Sequence, residues 1–155
     1  MKSTHRPKRI LLLFVDGVGL PPEPISRSIY AHTPTLQRLF TDHCVPIDAC
    51  LGVPGTPQSA TGQTALLTGM NAAEVMGFHQ PAFPGLKLKA VIDKHNILKK
   101  VIELGGTATF ANAYTPNYFK LVEEHKRAHS VTTLSVLAAG ISFRMIEELQ
   151  RGKAV

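Results

Sequence analysis

The chain is predicted to fold as an α/β protein, an open, mostly parallel sheet with helices on both faces. Three observations carry this expectation. Residues 10–15, Ile-Leu-Leu-Leu-Phe-Val, form a continuous apolar run, as expected for a central parallel strand covered on two faces. Short apolar runs alternate with helical periodicity along the chain, the order that builds parallel sheets. An amphipathic segment ending at Gly105-Gly106 leads into residues 107–112, which read as the return leg of a βαβ unit.

The elements follow in order. Asp16-Gly17-Val18-Gly19 gives the first strand a sharp exit at its carboxyl end, the edge where ligands of open sheets sit. Pro21, Pro22 and Pro24 keep the next segment extended and irregular. Thr33-Pro34 reads as an N-cap and first helical residue, with Leu36, Leu39 and Phe40 on one apolar face. Residues 45–50 are a second short strand. A Gly/Pro loop over 52–57 then turns into a helix that carries Ser59, Ala60, Leu66 and Leu67 and stops near Gly69. Residues 77–85 are a loop. Residues 86–94 and 96–104 read as amphipathic helices, with Asn96 capping the second. After the third strand, Pro116 opens a helix through Phe119, Leu121 and Val122, and residues 132–139 and 143–149 are helical. Residues 149–155 read as a helix end leading into a strand. No internal repeat or low-complexity linker divides the chain, so a single α/β domain over 1–155 is expected.

A chain of 155 residues, 44% hydrophobic and 18% charged, has the balance of a globular protein with a real core, which excludes a disordered tail-like class. The net charge is +6, with Lys2, Arg6, Lys8 and Arg9 at the start and Lys87, Lys89, Lys94, Lys99 and Lys100 further on. No basic run is interleaved with aromatics and Trp is absent, so no nucleic-acid partner is expected. An anionic small substrate, such as a phosphate ester, suits this charge. Cys44 and Cys50 make neither a CxxC nor a zinc-ligand spacing. They read as buried free thiols of a reducing, cytoplasmic compartment. The basic start has the outline of a signal peptide, but the apolar run is short, stops at Asp16 and lacks a cleavage site. No stretch is long enough to span a membrane, so no membrane partner is expected.

Two residues stand out for chemistry. Asp16, at the carboxyl end of the first strand, is either a metal-binding or catalytic carboxylate or the side chain of an Asx-turn. Ser59, where the Gly/Pro loop becomes a helix, is either an ordinary N-cap or a nucleophile whose developing charge the helix N-terminus stabilises. Thr61 and Thr64 are further hydroxyls at the helix start. The segment is similar to the phosphate-binding loop of nucleotide-hydrolysing enzymes, but Gly62 is followed by Gln63 and not by Lys-Ser/Thr. His79, in a Pro-rich loop after the Ser59 helix, and Gln58 are candidate substrate contacts. His125 and His129 have the i, i+4 spacing of a zinc-binding helix face. They lack the glutamate of His-Glu-x-x-His and read as a solvated face.

Taken together, a strand ending in Asp-Gly and a later loop–helix serine followed by x-x-Gly resemble the alkaline phosphatase superfamily. The branch it resembles is that of cofactor-independent phosphoglycerate mutase and phosphopentomutase. The matching residues are 11–19 (Leu-Leu-Leu-Phe-Val-Asp-Gly-Val-Gly), Thr33-Pro34-Thr35-Leu36, and Ser59-Ala60-Thr61-Gly62-Gln63, with an echo through Asn96-Ile97-Leu98, Leu104-Gly105-Gly106 and Phe110-Ala111-Asn112-Ala113-Tyr114. Gln63 stands where that branch usually has His.

The resemblance implies a metalloenzyme, a hydrolase or isomerase that transfers a phosphoryl group from a phosphorylated small molecule through a phosphoserine. Two divalent cations, zinc or manganese, would be held by Asp and His side chains. Asp16 would bind one of them, and Ser59, coordinated to the same ion, would be the nucleophile. The family draws most of its ligands from a later half, as Asp-x-x-x-His and Asp-His motifs, which this sequence does not contain. The chain is therefore expected to be the N-terminal portion of the core, without a large cap domain, its partner a missing C-terminal half. Two alternatives stand beside this: a catalytically inactive α/β fragment or partner subunit, and a nucleotide-binding domain using the loop 52–62.

Overall fold

The computed structural model describes residues 9–155, so the basic start before Arg9 and His5 lie outside the described residues. The chain divides into two compact units, Met1–Ile47 and Asp48–Val155.

In the first unit, two 3₁₀ turns, Ile25–Arg27 and Ile29–His32, lead into helix α1, Pro34–Asp42. Pro34 takes the first helical position, where its missing N–H costs nothing. Thr33 is the cap residue as the sequence predicts, but its hydroxyl donates back to the Tyr30 carbonyl (2.9 Å) and accepts no N–H of the helix. Tyr30 organises this unit. It is buried, meets Phe40 edge-on at 5.2 Å, and its hydroxyl donates to the Gly19 carbonyl at 3.1 Å. The Gln37 amide of α1 donates to the Tyr30 and Ala31 carbonyls.

The second unit holds the remaining helices: α2 Ser59–Thr68, α3 Ala72–Met76, α4 Leu86–His95, α5 Ile97–Glu103, α6 Pro116–Glu123, α7 Val131–Ala138 and α8 Ile146–Gln150. Its strands are β1, Ala113–Tyr114, and β2, Arg144–Met145, paired in parallel with Ala113 opposite Arg144. Helices α2, α4 and α7 pack against one another, α3 lies on α2 and α4, and α5 lies on α7. Small residues allow this approach. Ala60 and Ala72 are fully buried around Leu88, with Ala65 and Met76 beside them. Ile92, Val131 and Val136 extend the core. Complete burial of one such aliphatic side chain contributes about 1.5–3 kcal/mol.

The expected open parallel sheet is not what the chain forms: the described residues are mostly helical, with two short parallel strands. Each predicted strand fails for its own reason. Residues 10–15 have no ladder among the described residues and stay exposed, Ile10 and Leu11 at 89%. An apolar run signals burial, but the partner strands have to supply it. In 45–50, Pro46 has no N–H for a ladder, and the Asp48 carboxylate accepts the Cys50 N–H at 2.8 Å, making a turn. In 107–112 the pairing starts only near the end. Val155 donates to the Ala111 carbonyl and accepts from the Ala113 N–H, so β1 is bonded on two sides, to β2 and to Val155. Residues 143–149 split into β2 and α8. The two thiols are not buried as expected. Cys44 is exposed and Cys50 partly so, and both are free.

The helices follow the sequence more closely. Asn96 is fully buried between α4 and α5 and serves both. Its amide donates to the Ile92 carbonyl (3.0 Å) and its carbonyl oxygen accepts the Lys99 N–H (2.9 Å). Asn96→Ala therefore removes the cap and leaves the Lys99 N–H without its acceptor, while the Ile92 carbonyl keeps the Asn96 backbone N–H (3.3 Å). The expected loss is about 1–2 kcal/mol of unfolding free energy, read as a lower urea midpoint at unchanged m-value.

Candidate functional site

The candidate site is built by the loop before α2. The Val53 N–H donates to the Cys50 carbonyl (2.9 Å) across Leu51 and Gly52, whose φ angles are +53° and +73°. Two successive left-handed residues are the signature of a type I′ turn. Three side chains then pin the loop to its own unit. The Asn71 amide donates to the Leu51 carbonyl (2.9 Å), the His79 Nε2–H donates to the Val53 carbonyl (3.0 Å), and the Cys50 thiol donates to the Gly55 carbonyl (3.7 Å). The Cys50 thiol is pushed up by burial and by the Asp48 carboxylate beside it, which favours the protonated thiol.

Helix α2 starts at Ser59. Its N-cap is Gln58, in extended backbone (φ −131°, ψ 154°), and the Gln58 side chain makes no capping bond. Ser59 is thus the first helical residue and not the cap. The Ala60 N–H donates to the Gln80 carbonyl at 3.2 Å, fixing the first turn. The hydroxyls of Thr61, Thr64 and Thr68 are used inside the helix, donating to the carbonyls of Gln58, Ala60 and Thr64. They anchor α2 and do not act as further ligand groups.

Gln58 and His79, both expected to contact substrate, line one open cavity of about 360 Å³ with Thr56, Gly55 and Phe78. Because a carbonyl accepts from His79 Nε2, that nitrogen carries the proton and Nδ1 is the acceptor of the ring. Sequence reading had not connected Thr56 or Phe78 with this place. The short helix α3, over a stretch to which the sequence assigns no element, brings His79 back to the loop. Gly55 has φ +117°, a region closed to other residues, while an added Cβ would stand 3.5 Å from His79 Cδ2, an ordinary contact. Gly55→Ala is therefore strained by backbone and not by crowding. It is expected to lower unfolding free energy by about 1–3 kcal/mol, measured by urea titration, with the helical circular dichroism unchanged.

Asp16 belongs to the first unit. It is exposed and lies in a turn with Gly17, whose φ is +76°. His125 and His129 do not share a helix face. His125 follows α6 with φ +56°, whereas His129 precedes α7, half-buried, with Nδ1 3.1 Å from the Tyr118 hydroxyl. Among the described residues, no three His, Cys, Asp or Glu side chains gather around a point where one metal ion could be held. A catalytic zinc ion takes about three protein ligands. The described residues do not by themselves complete the two-metal centre implied by the resemblance, so the chemistry below rests on the chain's own groups.

No family model matches the chain, and neither a curated protein nor a solved structure is significantly similar to it. Among the described residues no helix is long and apolar enough to cross a membrane.

Proposed function

We propose that this chain carries the phosphate-binding and nucleophile-bearing part of a phosphoryl-transfer enzyme of the alkaline phosphatase superfamily, in its phosphomutase-like metalloenzyme branch. The observation that supports it most is the place of Ser59. It stands in the first turn of α2, displaced from the cap position by Gln58, directly after a Gly/Pro loop pinned at three points.

In this reading a phosphate monoester enters the cavity beside Gln58 and His79. Backbone N–H groups of the loop and first turn receive phosphate oxygens, with the positive end of the helix behind them. The Ser59 Oγ attacks phosphorus in line. The new O–P bond forms as the bond to the leaving oxygen breaks, the seryl proton passes to water, and the leaving oxygen takes a proton from water. Attack by water on the phosphoserine gives a phosphatase; attack by an acceptor hydroxyl gives a mutase. A cytoplasmic setting belongs to the proposal, supported by two free thiols, one of them exposed.

The incomplete donor set favours a second reading, a subunit or fragment that binds phosphate and does not turn it over. p-Nitrophenyl phosphate hydrolysis, with zinc or manganese added, separates the two. Turnover abolished by Ser59→Ala supports the enzyme. Phosphate binding without turnover supports the second reading. Turnover that ignores the substitution refutes the assignment of this residue.

A further inference from the structure

A second cavity of about 320 Å³ lies elsewhere in the Asp48–Val155 unit and shares no lining residue with the one at α2. We propose that this cavity, bounded by Phe83, Tyr114, Tyr118, Arg127, Ser130 and Thr133, binds a small polyhydroxylated monocarboxylate. The acid group would pair with Arg127 and the ligand hydroxyls would donate to the two tyrosine oxygens.

Charge comes first. Arg127 is the one charged residue of the lining, and no carboxylate lines the cavity. The guanidinium carbon lies over the Tyr118 ring, 4.9 Å from its centre, a cation–π contact that holds the group at the cavity. Among the described residues Arg127 makes no ion pair, although Lys120, Lys126 and Arg144 all find glutamates. A planar fork of N–H donors held on an aromatic face matches a carboxylate.

The hydroxyl network then decides what the rest of the ligand must offer. The Thr133 Oγ1 is met by three hydroxyls: Tyr114 at 2.9 Å, Ser130 at 2.8 Å and Tyr118, which donates at 3.3 Å. A threonine hydroxyl has one proton and two lone pairs, so three partners saturate it. The Tyr118 proton goes to Thr133. The remaining proton order runs in one of two senses: Tyr114 to Thr133 to Ser130, or Ser130 to Thr133 to Tyr114. In both, the Ser130 Oγ accepts the Thr133 N–H (3.2 Å). With the Tyr118 proton on Thr133, His129 donates from Nδ1 to the Tyr118 oxygen, 3.1 Å away. Burial and nearby Lys89 hold His129 below its ordinary value, which suits a neutral ring with one proton. In either sense each tyrosine oxygen keeps a lone pair for a ligand hydroxyl. A hydroxyl, which both donates and accepts, fits both senses, whereas a second carboxylate would face the lone pairs of Tyr118.

The network is also preorganised. Tyr114, Tyr118, Phe119 and Phe143 meet edge-on or tilted at 4.8–5.7 Å, which holds the rings in place before any ligand arrives. The site is independent of any role of Ser59.

The test uses the full chain and four probes, followed by calorimetry and by amide shifts of residues 113–133. The probes are gluconate, hexanoate (the acid without hydroxyls), sorbitol (the hydroxyls without the acid) and inorganic phosphate. Gluconate is expected to bind about tenfold or more tighter than each of the others. Arg127→Met, at an exposed position, should reduce gluconate binding by about tenfold or more with the circular dichroism unchanged. Tyr118→Phe keeps the ring under the guanidinium and should bring gluconate down to hexanoate's affinity while leaving hexanoate unaffected. The proposal is overturned if gluconate does not bind, if it binds Arg127→Met equally, or if phosphate or hexanoate matches it.

Discussion

Ser59→Ala is expected to lower kcat for phosphoryl transfer by on the order of 10³-fold, to the level that positioning alone supplies. The reason is local. Gln58, His79 and the pinned loop are untouched by the substitution, so phosphate affinity should stay within about threefold of the parent while turnover disappears. Ser59→Thr keeps the hydroxyl in the same first turn and should retain turnover, reduced by the bulk of one methyl group. Acid quenching during turnover should trap a phosphoryl adduct on the peptide that contains Ser59. An adduct mapping to Thr56 or Thr61, or turnover surviving Ser59→Ala, would sink the assignment. Ser59 makes an interaction of its own in the structure, so the urea midpoint of Ser59→Ala is measured beside its turnover, and a loss of chemistry is read where the midpoint is kept.

What the sequence disclosed and what it concealed follow a physical line. Local signals were legible. Pro34 and Pro116 mark helix starts, Asn96 caps α5, and Gly69 closes α2 in the left-handed conformation. Each depends on backbone groups within a turn or two of the residue that signals it. Strands depend on a partner far along the chain, and no periodicity within 10–15 or 45–50 encodes whether one is present. The same limit applies to the sites. Gln58 and His79 were suspected singly, and their convergence on one cavity depends on the short helix α3 and the carbonyl of Val53. The Tyr118–His129–Thr133 network was missed entirely. Its members sit before and inside two different helices. The available signal was the hydroxyl-rich start of α7, Ser130 to Thr133, which reads equally well as an ordinary cap.

Leu88→Ala should produce the largest loss of stability, about 3–4 kcal/mol, in the middle of the range for buried leucine truncations. Leu88 is fully buried, and its neighbours in the core cluster are the alanines Ala60 and Ala72. Alanines have no rotamer with which to fill a void, so of the side chains packed here only Met76 can turn toward the space left between α2, α3 and α4, which holds the loss to the middle of the range. Ile92→Val, which removes one methylene a turn further along α4, should cost only about 0.5–1.5 kcal/mol by contrast. Thermal unfolding should register the Leu88 change as a fall in Tm of on the order of 10 °C or more. The consequence reaches the candidate site because Ala60 adjoins Ser59 and donates its N–H to Gln80 in the first turn of α2. Below the lowered Tm, Leu88→Ala should weaken phosphate binding as well, and Ile92→Val should leave it intact. If Leu88→Ala cost less than about 1 kcal/mol, the helices would have to collapse freely onto the gap. The first turn that presents Ser59 would then not be held by this core.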